Sequence, residues 1–90
     1  MASIQVKEKR GLLFDKYIVY KGKRYKKVKG FVSQVGDITK CLESGRWTTK
    51  GKYYEVVLCH NAFRGIIADD NEPMGIHDSF RDFQYYRPVK

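Results

Sequence analysis

The sequence predicts an all-β fold, a single small barrel, on three observations. Val, Ile and Thr together number seventeen against seven Leu and Ala, and β-branched side chains favour the pleated, half-buried surface of a sheet. No window of eleven residues keeps the i, i+3, i+4, i+7 apolar spacing of an amphipathic helix. Eight glycines, at 11, 22, 30, 36, 45, 51, 65 and 75, cut the chain into pieces of strand length. Ninety residues suit one domain. The expected division is an arm or extra strand over 1–15 and the barrel over 16–90, with a basic hairpin at 16–29.

The hairpin is the clearest element. KYIVY and KRYKKVK flank Lys21-Gly22, and a two-residue loop ending in Gly suits a type I′ turn, whose central residues need positive φ. That turn sets Tyr20 opposite Lys23 and Ile18 opposite Tyr25. Lys23, Tyr25, Lys27 and Lys29 then share one face, and Arg24, Lys26 and Val28 the other; a one-residue slip would exchange the faces. Gly36-Asp37 reads as a turn and Ile38 to Glu43 as a strand. Trp47 falls on a loop or strand end, and Gly51 marks another turn. Tyr53 to Cys59 is the strongest central-strand candidate, apolar on both faces except at Glu55. RGIIADD is a short strand, and DDNEPMG a loop by composition. HDSFRDF suits one helical turn near the C-terminus, capped by Asp78 or Ser79. QYYRPV closes the chain as a strand whose Pro88 confines it to an edge or to its final residues.

From Tyr25 onward the order of features is Y-x-x-V (Tyr25, Val28), V-G-D-I (Val35 to Ile38), G-K-Y-Y-x-V (Gly51 to Val56), I-x-D-D (Ile67, Asp69, Asp70) and a final aromatic strand (Tyr85, Tyr86). This order resembles the small SH3-like β-barrel proteins encoded by bacteriophages and prophages, over roughly residues 25–90. The resemblance implies a strongly bent five-stranded barrel and a phage origin, and it carries no catalytic residue across. The hairpin and arm before residue 25 depart from the usual compact form.

Charge narrows the function. Residues 1–30 hold ten Lys or Arg against Glu8 and Asp15, whereas residues 31–90 hold eight of each sign. The whole net charge of +8 therefore sits in the first third, which points to an acidic partner. Lys16, Lys21, Lys23, Arg24, Lys26, Lys27 and Lys29 are interleaved with Tyr17, Tyr20 and Tyr25, as a nucleic-acid surface requires: cations for phosphates and rings for bases. Six phosphate contacts would give a logarithmic salt slope of about −5 on duplex DNA. Lysines on a strand also guard an edge against aggregation, but one or two suffice for that. Tyr53/Tyr54 and Tyr85/Tyr86 are adjacent pairs, so one ring of each is expected to point outward and join Trp47 in a contact surface.

Other chemistries find little support. Asp69-Asp70-Asn71-Glu72 lacks the ligand spacing of an EF-hand and reads as a solvated turn. Cys41, Cys59, His60 and His77 have no C-x-x-C pair, and Cys59-His60 are consecutive, so neither a metal site nor a Cys–His nucleophile is expected. Cys41 and Cys59 read as reduced, small hydrophobes on neighbouring strands. No catalytic residue, cofactor or Gly-rich phosphate loop is identifiable. No apolar stretch is long enough to span a bilayer, and the polar N-terminus lacks the apolar core of a signal peptide. The expectation is a non-enzymatic accessory protein of the host bacterial cytoplasm. Its basic hairpin would contact nucleic acid, DNA or RNA, through Lys16, Tyr20, Lys21, Lys23, Arg24, Tyr25, Lys26, Lys27 and Lys29, with Trp47 as a further contact. The alternatives are an inhibitor of an acidic host defence, transcription or replication protein, and a virion component.

Overall fold

The computed structural model describes residues 3–10, 16–28, 33–59, 63–76 and 83–89. These form nine strands and no helix: β1 (Lys7–Arg10), β2 (Lys16–Tyr20), β3 (Lys23–Lys27), β4 (Ile38–Cys41), β5 (Tyr53–Glu55), β6 (Val57–Leu58), β7 (Arg64–Ile67), β8 (Pro73–Gly75) and β9 (Phe83–Pro88). Six of them make a curled half-barrel sheet in the order β1-β2-β3-β9-β4-β5, and a second sheet is β6-β7-β8. The all-β expectation stands. The five-stranded arrangement implied by the SH3-like resemblance is not what these strands form. The helical turn expected over HDSFRDF falls on residues 77–82, outside the described residues. Its last member, Phe83, instead opens β9 and pairs with Cys41.

The β2–β3 hairpin has the expected register, Ile18 opposite Tyr25 and Tyr20 opposite Lys23. Lys21 and Gly22 both have positive φ, 51° and 77°, the conformation a type I′ turn demands and glycine tolerates. At the other side of β2, residues 7–10 form an antiparallel edge strand, Lys7 opposite Val19 and Arg10 opposite Lys16. Just before it, the Ile4 amide donates to the Tyr53 carbonyl at 2.8 Å. That bridge ties the β1 side of the curled sheet to its opposite edge, β5.

β9 lies between β3 and β4, so the last strand is central and not an edge. Pro88 is tolerated because it is the terminal residue of the strand. The expected strand over Tyr53 to Cys59 breaks at Val56. The Val56 amide donates to the Asp37 carbonyl at 2.8 Å and its carbonyl accepts from Gly36 at 3.0 Å. The chain thereby leaves the first sheet and enters the second. Composition misassigned Pro73–Gly75, which pairs with β7 as strand β8. The turn before it is held by backbone bonds from Ala68 to Glu72 and from Asn71 to Ala68.

The curl creates two cores. Ile18, Tyr25, Ile38, Tyr53 and Tyr86 fill the inside of the half-barrel, with Ile4, Val6 and Tyr20 packed against them. Cys41, Tyr54, Val56, Ile66, Ile76 and Tyr85 form a second cluster between the two sheets. All four paired tyrosines, 53, 54, 85 and 86, are consequently buried. The expectation of one outward ring per pair fails because β5 and β9 have both faces covered: one lines the curl and the other meets the second sheet. Gly65 permits the close approach of β8; a methyl group there would overlap the Met74 carbonyl oxygen and come within 2.9 Å of the Cys59 sulfur. Cys41 and Cys59 are free thiols. They lie on β4 and just beyond β6, in different sheets and not on neighbouring strands.

Candidate nucleic-acid interface

Strands β1 to β3 form a ribbon that is the cationic part of the molecule. Residues 7–10 and 16–27 carry nine Lys or Arg and one carboxylate, Glu8. The side chains of β1 are exposed, as are those of β3 except at Tyr25, whereas β2 between them is half-buried at Tyr17, Val19 and Tyr20 and buried at Ile18. Ile18 and Tyr25 are the inward residues that fix the ribbon to the half-barrel core.

Register sorts the charges. Opposed residues share a face and alternate residues change it. On the outer face Lys9, Tyr17 and Lys26 lie in one cross-strand row, and Lys7, Val19 and Arg24 in the next. Half-buried Tyr17 and Val19 therefore form a floor between two lines of cations. The lines are two strand spacings, about 10 Å, apart, and the cations within each are about 7 Å apart. The Arg24 guanidinium sits 5.5 Å from the centre of the Tyr17 ring, which holds the ring by a cation–π contact. No carboxylate of the ribbon lies on this face. Among the described residues Lys7, Lys9, Arg24 and Lys26 make no ion pair.

The inner face is different. Tyr25 is buried and Tyr20 half-buried, their rings 6.5 Å apart. Burial removes Tyr25 as a stacking ring, which corrects its expected role, and Tyr20 packs against the half-barrel core on the face away from Tyr17. Burial holds the Tyr25 hydroxyl above its usual range; a hydrogen bond to Glu55 does the same for Tyr20. Lys23 shares this side at the turn end, and Lys21 lies 5.3 Å over the Tyr20 ring. Lys16 and Lys27, at the other end, line a cavity of about 360 Å³ at the mouth of the half-barrel.

Glu8 fastens β1 across the curl. Its carboxylate accepts from the Tyr53 hydroxyl and pairs with Lys40 Nζ at 3.2 Å. The Tyr53 bond first, then Lys40, holds the Glu8 carboxyl below its usual range. Burial, reinforced by Glu8, pushes the Tyr53 hydroxyl well up.

Lys29 lies outside the described residues. Trp47 is exposed on the β4–β5 loop, with the Arg46 guanidinium 5.4 Å from its ring. It lines a shallow hollow with Met74 and Phe83, beyond the Cys41–Phe83 end of the sheet. The hairpin turn lies at the opposite, Pro88 end of β9. The fold does not bring Trp47 together with the ribbon. Conversely, sequence reasoning missed Lys7, Lys9 and Arg10 as site residues, and Tyr17 as the outward ring. The signal was the alternation in V-K-E-K-R, which places two lysines on one side of a strand.

Comparison with protein-family models, with curated proteins and with solved structures finds no match for this chain. The SH3-like resemblance therefore rests on its motifs alone. Among the described residues no helix is long and apolar enough to cross a membrane.

Proposed function

We propose that the protein binds nucleic acid, with the outer face of the β1–β2–β3 ribbon as the contact surface. The observation that carries this reading is the cross-strand pattern. Each outward residue of β2 is flanked by a cation on both sides, and one of those residues is the aromatic Tyr17. A polyanion lying along β2 would meet Lys7 and Lys9 on one side and Arg24 and Lys26 on the other, while Tyr17 offers a ring to a base. That combination suits a single strand, whose bases are free to stack. The concentration of like charge has a cost, which an anionic ligand relieves by releasing its own counterions.

The test is an anisotropy titration with a labelled single-stranded oligonucleotide, using the wild type, Tyr17→Ala, and a double variant Arg24→Gln/Lys26→Gln. Tyr17→Ala should weaken binding by about 1–3 kcal/mol, the worth of one stacked base, without changing its salt dependence. The double variant should reduce both. Absence of binding at low salt overturns the proposal. Binding that ignores Tyr17 but follows the charges would instead point to an acidic protein surface, such as that of a host enzyme.

A further inference from the structure

The inner mouth of the half-barrel gathers a second set of cations, next to the ribbon's outer face. Its cavity of about 360 Å³ is lined by Arg10, Lys16, Lys27 and Lys40, with Lys9 and Tyr17 of the outer row at its rim, and among the described residues Glu8 is its one carboxylate. Glu8 is already committed to Lys40 and to the Tyr53 hydroxyl. Among the described residues Arg10, Lys16 and Lys27 make no ion pair, and of these Lys16 acts on Glu8 only at longer range. Ile18 and Tyr86, buried in the half-barrel core, also line the cavity, so they close it from below. The volume falls within the range of small-molecule sites, about 300–1,000 Å³.

We infer that this cavity binds a phosphomonoester, the dianionic phosphate of a nucleotide or of a nucleic-acid strand end. Two features select that group. The floor of Ile18 and Tyr86 lets a ligand enter from the open side alone, which suits a compact terminal phosphate better than the bridging phosphate of a continuous strand. Three cations that face this space, Arg10, Lys16 and Lys27, favour the terminal phosphate, which carries about −1.5 to −2 charge at neutral pH, over the single charge of an internal phosphodiester. Glu8 has a positioning role: its bonds to β4 and β5 hold β1, and with it Arg10, beside the opening.

The experiment has two arms, each run at low salt with the full chain. In the first, AMP and adenosine are titrated by calorimetry. In the second, a 5′-phosphorylated oligothymidine is compared with the same oligomer ending in a 5′-hydroxyl. Binding of AMP but not adenosine identifies a free nucleotide as a ligand. A preference of roughly tenfold for the phosphorylated oligomer, the worth of about one added charge contact, identifies a strand end. Lys16→Gln/Lys27→Gln should abolish either effect. Lys16→Arg/Lys27→Arg should retain it, and circular dichroism confirms folding of both. Arg24→Gln/Lys26→Gln should weaken the two oligomers equally and leave AMP binding intact, which separates failure of the outer face from failure of the cavity. If AMP does not bind and the oligomers bind alike, or if the preference survives Lys16→Gln/Lys27→Gln, the inference is wrong.

Discussion

Neutralising Arg24 and Lys26 gives the sharpest quantitative test of the ribbon. The sequence alone suggested six phosphate contacts from one basic run. The register divides that run between two faces and leaves Arg24 and Lys26, joined by Lys7 and Lys9 from β1, on the outer one. Four contacts to a single strand correspond to a logarithmic salt slope of about −2.8, at about −0.7 per phosphate. Between 50 and 200 mM salt the affinity should then fall by about 50-fold. Removing two of the four cations should bring the slope to about −1.4 and the fall to about sevenfold. Anisotropy titrations at four salt concentrations read this directly. Lys50→Gln/Lys52→Gln, which alters the β4–β5 loop, should leave the slope where it was. The reasoning fails if the wild-type slope is near −5, or if the loop variant and the ribbon variant change it equally. Either result would mean that net charge, and not the arrangement on one face, governs binding.

Three further outcomes test the scaffold. Gly65→Ala forces a methyl group into the Met74 backbone and the Cys59 sulfur and should cost about 2 kcal/mol, lowering Tm by about 8–16 °C in a thermal melt; an unchanged Tm would show that β8 does not pack so closely. Asp37 is buried, takes two bonds of 3.0 Å from Arg87 and accepts from the Gln34 amide at 2.8 Å. Because Arg87 is partly exposed, Asp37→Ala should cost about 2–3 kcal/mol in urea unfolding and not the larger penalty of a fully buried pair. Burial of Asp69 would raise its pKa, but bonds from Thr49 (2.7 Å) and the Tyr54 hydroxyl (2.8 Å) outweigh it and hold the carboxyl below its usual value. Its contribution is therefore fully present above the unfolded pKa, about 3.9, and is lost as pH falls through the lower folded value. The wild type should lose stability relative to Asp69→Asn between pH 5 and pH 2, roughly, when urea midpoints are compared; parallel curves would refute the assignment.

Tyrosine ionisation offers an independent check on the buried rings. Burial, with the bond to Asp69, pushes Tyr54 up to about 12. Its stabilising contribution is present below the unfolded pKa of about 10 and fades as pH climbs toward the folded value. An absorbance titration should show a group of tyrosines that ionises only on alkaline unfolding. Seven independent ionisations near pH 10 would contradict the two-core packing.

The amino-acid sequence by itself determined what is local. β-branched content and spaced glycines specify strands, Lys21-Gly22 specifies a two-residue turn, and that turn specifies which hairpin residues share a face. It also determined that the positive charge is gathered early in the chain. Only the tertiary structure decided which faces meet solvent. Curling the first sheet buries Tyr25 and Tyr86 inside it, and the second sheet covers Tyr54 and Tyr85, so adjacent aromatics that alternation would split are buried together. The bend at Val56 and the central place of β9 likewise depend on partners far along the chain, which a local pattern does not encode. Because β1 docks beside β2, Lys7 and Lys9 complete the outer face and Glu8 reaches across to Lys40 and Tyr53. Cation identity is written in the chain, but its distribution between the ribbon's outer face and the mouth of the half-barrel is set by strand register and by the curl of the sheet.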